Sequence, residues 1–254
     1  MKTLSIRASS LLLGLAISTM GFQTIAQESP DEEDSGETET IETIAVVGHA
    51  TNSVVTVADL ETFQANDLAD IFRLTPSISV GGSNGIAQKI YIRGIEDALI
   101  NVTVDGAPQT STLFHHIGRV KIDPQLLKQI EVQVGAGEAT SGAGAIGGSI
   151  RFKTKDINDL LDSSSSFGGT VKVGTFSNSG EHYSASLYGR LNDDWGVLAY
   201  YNDINRDNME DGDGYEMDGT SADQSLVYLK ASGDIGEDQH LSFSYESRDE
   251  EGDF

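Results

Sequence analysis

The chain contains no cysteine, which excludes a disulfide framework, a thiolate metal site and a cysteine nucleophile. Positive charge is scarce: Lys and Arg total 16 against 40 Asp and Glu, for a formal net charge of -24. Phosphates would be repelled by such a chain rather than neutralised, which excludes nucleic acid as a partner. Long apolar runs are lacking beyond the first 26 residues. If the mature protein enters a membrane, it must do so through strands closed into a barrel, because lipid leaves no partner for an open backbone.

What is present begins with Lys2 and Arg7, a largely apolar run Leu11–Phe22, and the small-residue site Thr24-Ile25-Ala26. This is the pattern of a signal peptide over residues 1–26, whereas an uncleaved anchor would need about 20 apolar residues. Residues 27–41 are acidic and polar, too poor in apolar side chains to fold, and form a flexible linker. The run Glu42-Thr43-Ile44-Ala45-Val46-Val47-Gly48 follows. Its strand-forming residues either pair with the edge of another protein's sheet or open the next domain.

Residues 51–156 change to a mixed α and β texture. Helical spacing starts at Val57 and recurs over Asp67–Leu74 before Pro76. Lys89–Arg93, Ile100–Val104, Ile130–Val134 and Ser149–Thr154 alternate as strands, and Asp123-Pro124 opens a short helix through Lys128. Beyond the serines at 163–166, residues 165–254 alternate over segments about ten residues long, enough to cross a bilayer at a barrel's tilt. Four such segments lie around Tyr183–Leu191, Trp195–Ile204, Ser225–Ala231 and Leu241–Glu246, and Asp249–Asp253 continues none of them. If Thr170–Phe176 runs outward, the short links at 192–194 and 232–239 are periplasmic and the long link 205–223 is external, as in outer-membrane barrels. A soluble β-sandwich shares the same period of two, so these strands alone do not choose.

The choice comes from an ordered set of motifs. Leu74-Thr75-Pro76-Ser77-Ile78, Ile92-Arg93-Gly94, Val104-Asp105-Gly106-Ala107-Pro108, Ile130-Glu131-Val132 and Gly144-Ala145-Ile146-Gly147-Gly148-Ser149-Ile150 together resemble the plug of TonB-dependent outer-membrane receptors. Two departures are Val134-Gly135-Ala136, where that family commonly has Arg-Gly-Pro, and Ser141-Gly142, where it often has Tyr-Gly. The resemblance implies an α+β plug domain followed by antiparallel strands of a transmembrane β-barrel, 22-stranded in the full-length family. About five strands are legible here, so roughly seventeen more are expected elsewhere, and the chain reads as a fragment or a truncation.

The resemblance also assigns roles. Residues 42–48 are similar to a TonB box, with TonB and its inner-membrane energising complex as the implied partner. Outer-membrane lipid surrounds the barrel, which places the protein in the outer membrane of a Gram-negative bacterium. Arg93, Gly94, Asp105, Gly106, Glu131, Gly147 and Gly148 fall on the plug motifs as structural or latch positions. Arg93 and Glu131, charges on predicted strands inside a barrel, are expected to join an internal ion-pair network. Phe114–Arg119, the segment 123–132 and Thr154-Lys155-Asp156 are similar to the FrpB-type iron receptors, which implies a ferric siderophore as ligand, with haem as the alternative. His115 and His116, in a polar loop, are the candidate ligand contacts, because imidazole ligates iron. An adhesin or passive porin is the reading from another class, but a porin needs no plug. No catalytic constellation or cofactor site is indicated, and the glycine run 135–148 lacks the closing Lys-Ser/Thr of a nucleotide loop.

Overall fold

The protein is described here by a computed structural model. It describes residues 53–82, 86–109, 118–136, 142, 144–236 and 238–252, all within one compact unit, Val47–Phe254. The predicted box at 42–48 and the histidines His115 and His116 lie outside the described residues.

The first half of this unit is built on strand β1 (Ser53–Thr56), which runs into helix α1 (Val57–Thr62). Thr56 stops the strand and starts the helix. Its side chain accepts from the Asp59 amide while the Asp59 carboxylate accepts from the Thr56 amide, so two of the helix's orphan donors are satisfied. Asp67 likewise caps α2 (Leu68–Ile71), which is shorter than the predicted 67–74 because residues 72–77 turn ahead of the next strand. Strands β2 (Ile78–Gly81), β3 (Lys89–Ile92) and β4 (Ile95–Glu96) form one small antiparallel sheet. A second sheet has β1, β7 (Leu127–Val134), β8 (Gly148–Thr154), β5 (Asn101–Val104) and β6 (Ala107–Pro108) in that spatial order. The pair β5/β8 is parallel and the other pairs are antiparallel. The predicted helix through Lys128 is a single 3-10 turn, Pro124–Leu126, and Leu127 already belongs to β7.

The alternating residues Ile130, Val132, Ile150 and Phe152 point into one core with Leu60, Leu68, Ile71, Phe72, Ile90 and Ile92. Phe72 meets Phe152 edge-on at 6.2 Å. Gly148 is required where β8 enters this core. Its φ of +137° suits only glycine, and a Cβ there would press on the Gln133 carbonyl and lie 3.1 Å from Ile92 Cδ1.

Helix α3 (Ile157–Leu160) leads into a five-stranded antiparallel sheet: β9 (Phe167–Thr175), β10 (Gly180–Arg190), β11 (Trp195–Arg206), β14 (Ala222–Ile235) and β15 (Gln239–Glu251). Strands β14 and β15 are longer than the sequence suggests, and β15 continues through Asp249 to Glu251, where no strand was predicted. The inward charges Arg248 and Glu250 interrupt an apolar pattern without interrupting the ladder to β14. The long link after β11 folds partly into a hairpin of β12 (Met209–Glu210) and β13 (Glu216–Met217).

This sheet is inverted relative to a soluble one. Val171 is 77% exposed and Phe243 64%, and Leu187, Tyr201, Leu229 and Tyr245 are exposed on the same side. The residues between them, His182, Ser184, Asn202, Lys230 and Ser232, are buried on the opposite side, against the first half of the chain. A soluble sandwich would bury the apolar side. An apolar outer face and a polar inner one belong to a transmembrane wall, with strands of 9 to 14 residues that are long enough to cross. Among the described residues no helix is long and apolar enough to do so.

Leu187→Lys, on the outer face, is therefore expected to destabilise the wall in a lipid bilayer by about 2–4 kcal/mol. Ser242→Lys, on the inner face, should cost much less. Urea unfolding of the complete barrel in vesicles measures both, and equal costs would contradict the assignment of faces.

Candidate functional site at the plug and wall interface

The inner face of the wall meets the first half of the chain at three polar ties around one apolar knob. The knob is Leu126, at the end of the 3-10 turn, packed among Leu198, Tyr200, Leu226 and Tyr228 of the wall. Beside it, α3 places Ile157 over Gly196, where a Cβ would collide with the isoleucine side chain.

Asp123 makes the first tie. It is 6% exposed, and its Oδ1 accepts from the Gln125 amide at 2.8 Å, which starts the 3-10 turn. Its Oδ2 accepts from Tyr200 Oη at 2.8 Å and from Asn202 Nδ2 at 2.6 Å, both on β11. With its amide nitrogen committed to Asp123, Asn202 offers Oδ1 to His182 Nε2 at 2.7 Å. The Gln125 side-chain nitrogen lies 3.3 Å from the same ring nitrogen, so His182 Nε2 is shared between Asn202 and Gln125. Gln125 completes the set by accepting from Ser184 Oγ at 3.1 Å.

Lys230 makes the second. It is 5% exposed on β14 and projects into the plug, where Nζ lies 2.8 Å from Asp156 Oδ1 and 3.5 Å from Asp105 Oδ2. Thr154 Oγ1 donates to Asp105 Oδ2 at 2.5 Å and accepts from Lys230 Nζ at 2.7 Å. Asp156 is held from its other side by Lys128 of β7, 2.5 Å from Oδ2. Burial opposes ionisation of Asp156, but hydrogen bonds and charge from Lys128 and Lys230 outweigh it and hold the carboxyl down at about 2. Lys121 makes the third tie, donating to the Ile86 carbonyl at 3.1 Å and pairing with Glu250 of β15. Burial lowers the pKa of Lys121, and Glu250 works against that.

The predicted latch residues divide. Asp105 and Gly106 form the β5–β6 turn with φ of +47° and +85°. That turn aims the Asp105 carboxylate at Thr154 and Lys230, so Asp105 reaches the wall. Glu131 joins an ion-pair network, but with Arg151 at 3.4 Å and Lys153 at 2.5 Å on the adjacent strand. These pairs are internal to the plug sheet, and hydrogen bonding from Lys153 leads in lowering the pKa of Glu131. Arg93 is a correction. It is exposed in the β3–β4 turn, not buried on a strand, because Arg93 and Gly94 take φ of +49° and +82° to reverse the chain. Gly147 and Gly148 lie at the start of β8, where Gly147 N–H donates to the Leu99 carbonyl at 3.0 Å. The acidic link 205–223 uses Asp211 on its own turn, accepting from the Asp213 and Tyr215 amides at 2.9 Å. Among the described residues no group of three or more His, Asp or Glu is placed to hold a metal ion.

Sequence reasoning missed Asp123, Lys230, Asn202 and His182 as interface residues. For the three wall residues the available signal was a polar side chain recurring on the inward face of the strands, among inward apolar residues such as Leu198 and Leu226.

The low pKa of Asp156 carries a pH dependence. A carboxyl depressed when folded stabilises above its unfolded value near 4, and that contribution is lost as pH falls towards 2. The urea midpoint for release of the plug from the wall should fall between pH 5 and pH 2.5. Lys230→Met should lower the midpoint at pH 5 and flatten this dependence. An unchanged slope in the variant would place the proton linkage elsewhere.

Comparisons with known proteins agree with this architecture. Residues 48–149 match the family model described as TonB-dependent Receptor Plug Domain. The chain is 33% identical over 259 residues to the heme transporter BhuA of Brucella ovis, covering 98% of this chain and 38% of that protein. It is 28% identical over 181 residues to the TonB-dependent heme receptor A of Haemophilus influenzae, covering 68% of this chain and 24% of that protein. The FrpB iron transporter of Neisseria meningitidis superposes with a TM-score of 0.69 at 28% identity, covering 78% of this chain and 32% of the other. The chain thus spans well under half the length of the relatives it matches. Made of a plug and the first strands of the wall around it, the chain belongs to the family of TonB-dependent outer-membrane receptors.

Proposed function

We propose that this chain is the plug and opening wall segment of a receptor that takes up haem across the outer membrane. The observation that carries the reading is the 33% identity to a heme transporter over 98% of the chain. A second heme receptor among its relatives supports it. Sequence motifs alone favoured a ferric siderophore, on likeness to FrpB-type receptors. Similarity to FrpB, an iron transporter, supports iron supply as the broader class and does not separate the two ligands. Haem is preferred because the longer alignments are to heme proteins.

In this reading residues 1–26 direct export, 27–41 form the linker, 42–48 are the TonB box, 51–156 the plug and 165–254 the first wall strands. The outer membrane has no nucleotide supply, so work must arrive through a partner. TonB would capture Glu42–Gly48 by strand addition, where main-chain hydrogen bonds supply the grip. The polar ties at Asp123, Lys230 and Lys121 suit a plug that must move. A hydrogen bond broken as the plug leaves the wall is exchanged for one to water, at a net cost of about 1 kcal/mol or about 1.5–3 where a charge takes part, whereas peeling apart an apolar interface exposes surface with no replacement. His115 or His116 would contact the haem iron, which accepts imidazole as an axial ligand.

A strain relying on the complete receptor gene should grow with haemin as sole iron source, and its deletion should abolish that growth while sparing growth on ferric siderophores. The reverse pattern would restore the siderophore reading. Deleting Thr43–Gly48 should abolish haemin uptake and leave surface binding intact. Replacing His115 and His116 together with alanine should shift the Soret band of bound haemin and weaken its binding. An unchanged spectrum would remove both from the ligand set.

A further inference from the structure

The described segments contain seven lysines, and five of them are ion-paired: Lys89, Lys121, Lys128, Lys153 and Lys230. In a chain of net charge -24, lysines without a carboxylate partner are unexpected. The remaining two, Lys155 and Lys172, have no such pair among the described residues, and both line one cavity of about 300 Å³ between plug and wall.

Their placement is fixed by the fold. Lys155 follows β8 directly, and its amide donates to the Leu126 carbonyl at 2.7 Å, so it leaves the plug beside the apolar knob. Lys172 is an inward residue of β9, in register with Ser184 of β10. The two lysines line the same cavity, Lys155 half-buried and Lys172 exposed. Burial lowers the pKa of Lys155, and the charge of Lys172 lowers it further, while Glu61, Asp159 and Asp123 work the other way. Of those acids Asp159 is committed to Lys128 and to the Asp156 amide, and Asp123 to Tyr200 and Asn202. Glu61, on exposed α1, is left to offset one positive charge of the two. The cavity lining adds the hydroxyls of Thr170 and Ser186 and apolar side chains that include Leu126 and Leu198, while the Ser184 hydroxyl is already committed to Gln125. Paired cations, hydroxyl donors and apolar side chains suit a carboxylate on a hydrophobic body. The volume, at the low end of ligand pockets, takes one arm of such a molecule.

We infer that Lys155 and Lys172 form a carboxylate-binding subsite between plug and wall, where the acidic arms of the transported chelate are held in transit, one at a time. This rests on the haem reading for the identity of those arms, which are then the two propionates. It does not rest on that reading for the site itself. A carboxylate between the two ammonium groups would relieve their repulsion and the desolvation of Lys155.

Two measurements on the complete receptor test the inference. In the first, succinate is the probe. It should slow amine acylation of Lys155 and Lys172 several-fold, read by peptide mass spectrometry, and leave Lys89 unaffected. Absence of protection overturns the subsite, whatever the receptor transports. In the second, the double variant Lys155→Gln, Lys172→Gln should bind haemin at the cell surface like the parent but take it up about tenfold more slowly, the scale of one lost charge-assisted hydrogen bond. Haemin dimethyl ester, whose arms carry no charge, should be taken up equally by parent and variant. Equal losses for haemin and its ester would mean the lysines act on the plug and not on the carboxylates, which overturns the role in transit. If the parent ignores haemin while succinate protection holds, the haem reading fails and the carboxylate site stands.

Discussion

The structure depends on a sheet that keeps its apolar side out and its polar side in. Val171, Leu187, Leu229 and Phe243 stay exposed while Ser184, Asn202, Lys230 and Ser232 are covered. Water cannot stabilise that arrangement, since it leaves large apolar side chains wet and buries groups that would rather be hydrated. Two environments are needed to make it favourable: lipid outside, and a polar body inside that replaces water for each buried donor and acceptor. The plug is that body. Asp123, Asp156, Asp105 and Thr154 are aimed at the wall because the wall's inward residues require partners.

The same requirement divides the molecule into two kinds of contact. Within the plug, Ile90, Ile92, Ile130, Ile150 and Phe152 form a dry core, which resists deformation because any opening exposes apolar surface. Between plug and wall, the contacts are ion pairs and hydrogen bonds around the small cluster at Leu126. A force applied to the plug would meet the weaker resistance at this second boundary. Buried charges such as Lys230 are costly to desolvate, and they add more to register than to stability. Lys230 meets Asp156, Asp105 and Thr154 together, and the polar groups around it give other placements of β14 less to offer. Lys155 and Lys172 depart from this economy of partners, which is why they invite a ligand.

Turns and charges within the plug were legible in the sequence, whereas most of the plug and wall contacts were not. The Asp105-Gly106 turn could be read from residue type, since positive φ at consecutive positions is tolerated by few pairs. Glu131 was correctly expected in an ion-pair network, but its partners Arg151 and Lys153 depend on the register of β7 against β8. Arg93 looked like a strand residue because alternation runs up to it, and the turn begins one residue earlier than the pattern shows. Lys128 was assigned to a helix because Asp123-Pro124 is a strong helix start, yet pairing with β8 claims the chain from Leu127 onward.

What the sequence determined by itself was everything local or periodic: an acidic chain without thiols, the capped helix starts, the alternating strands and the ordered plug motifs. Those follow from backbone sterics and from the match between side-chain period and strand geometry, which a few neighbouring residues specify. The tertiary structure decided which side of the wall is buried and which charges meet. Asp123 finds Asn202, and Asp156 finds Lys230, across more than seventy residues of chain. A period of two marks two faces, but only packing against the plug assigns one of them to the interior.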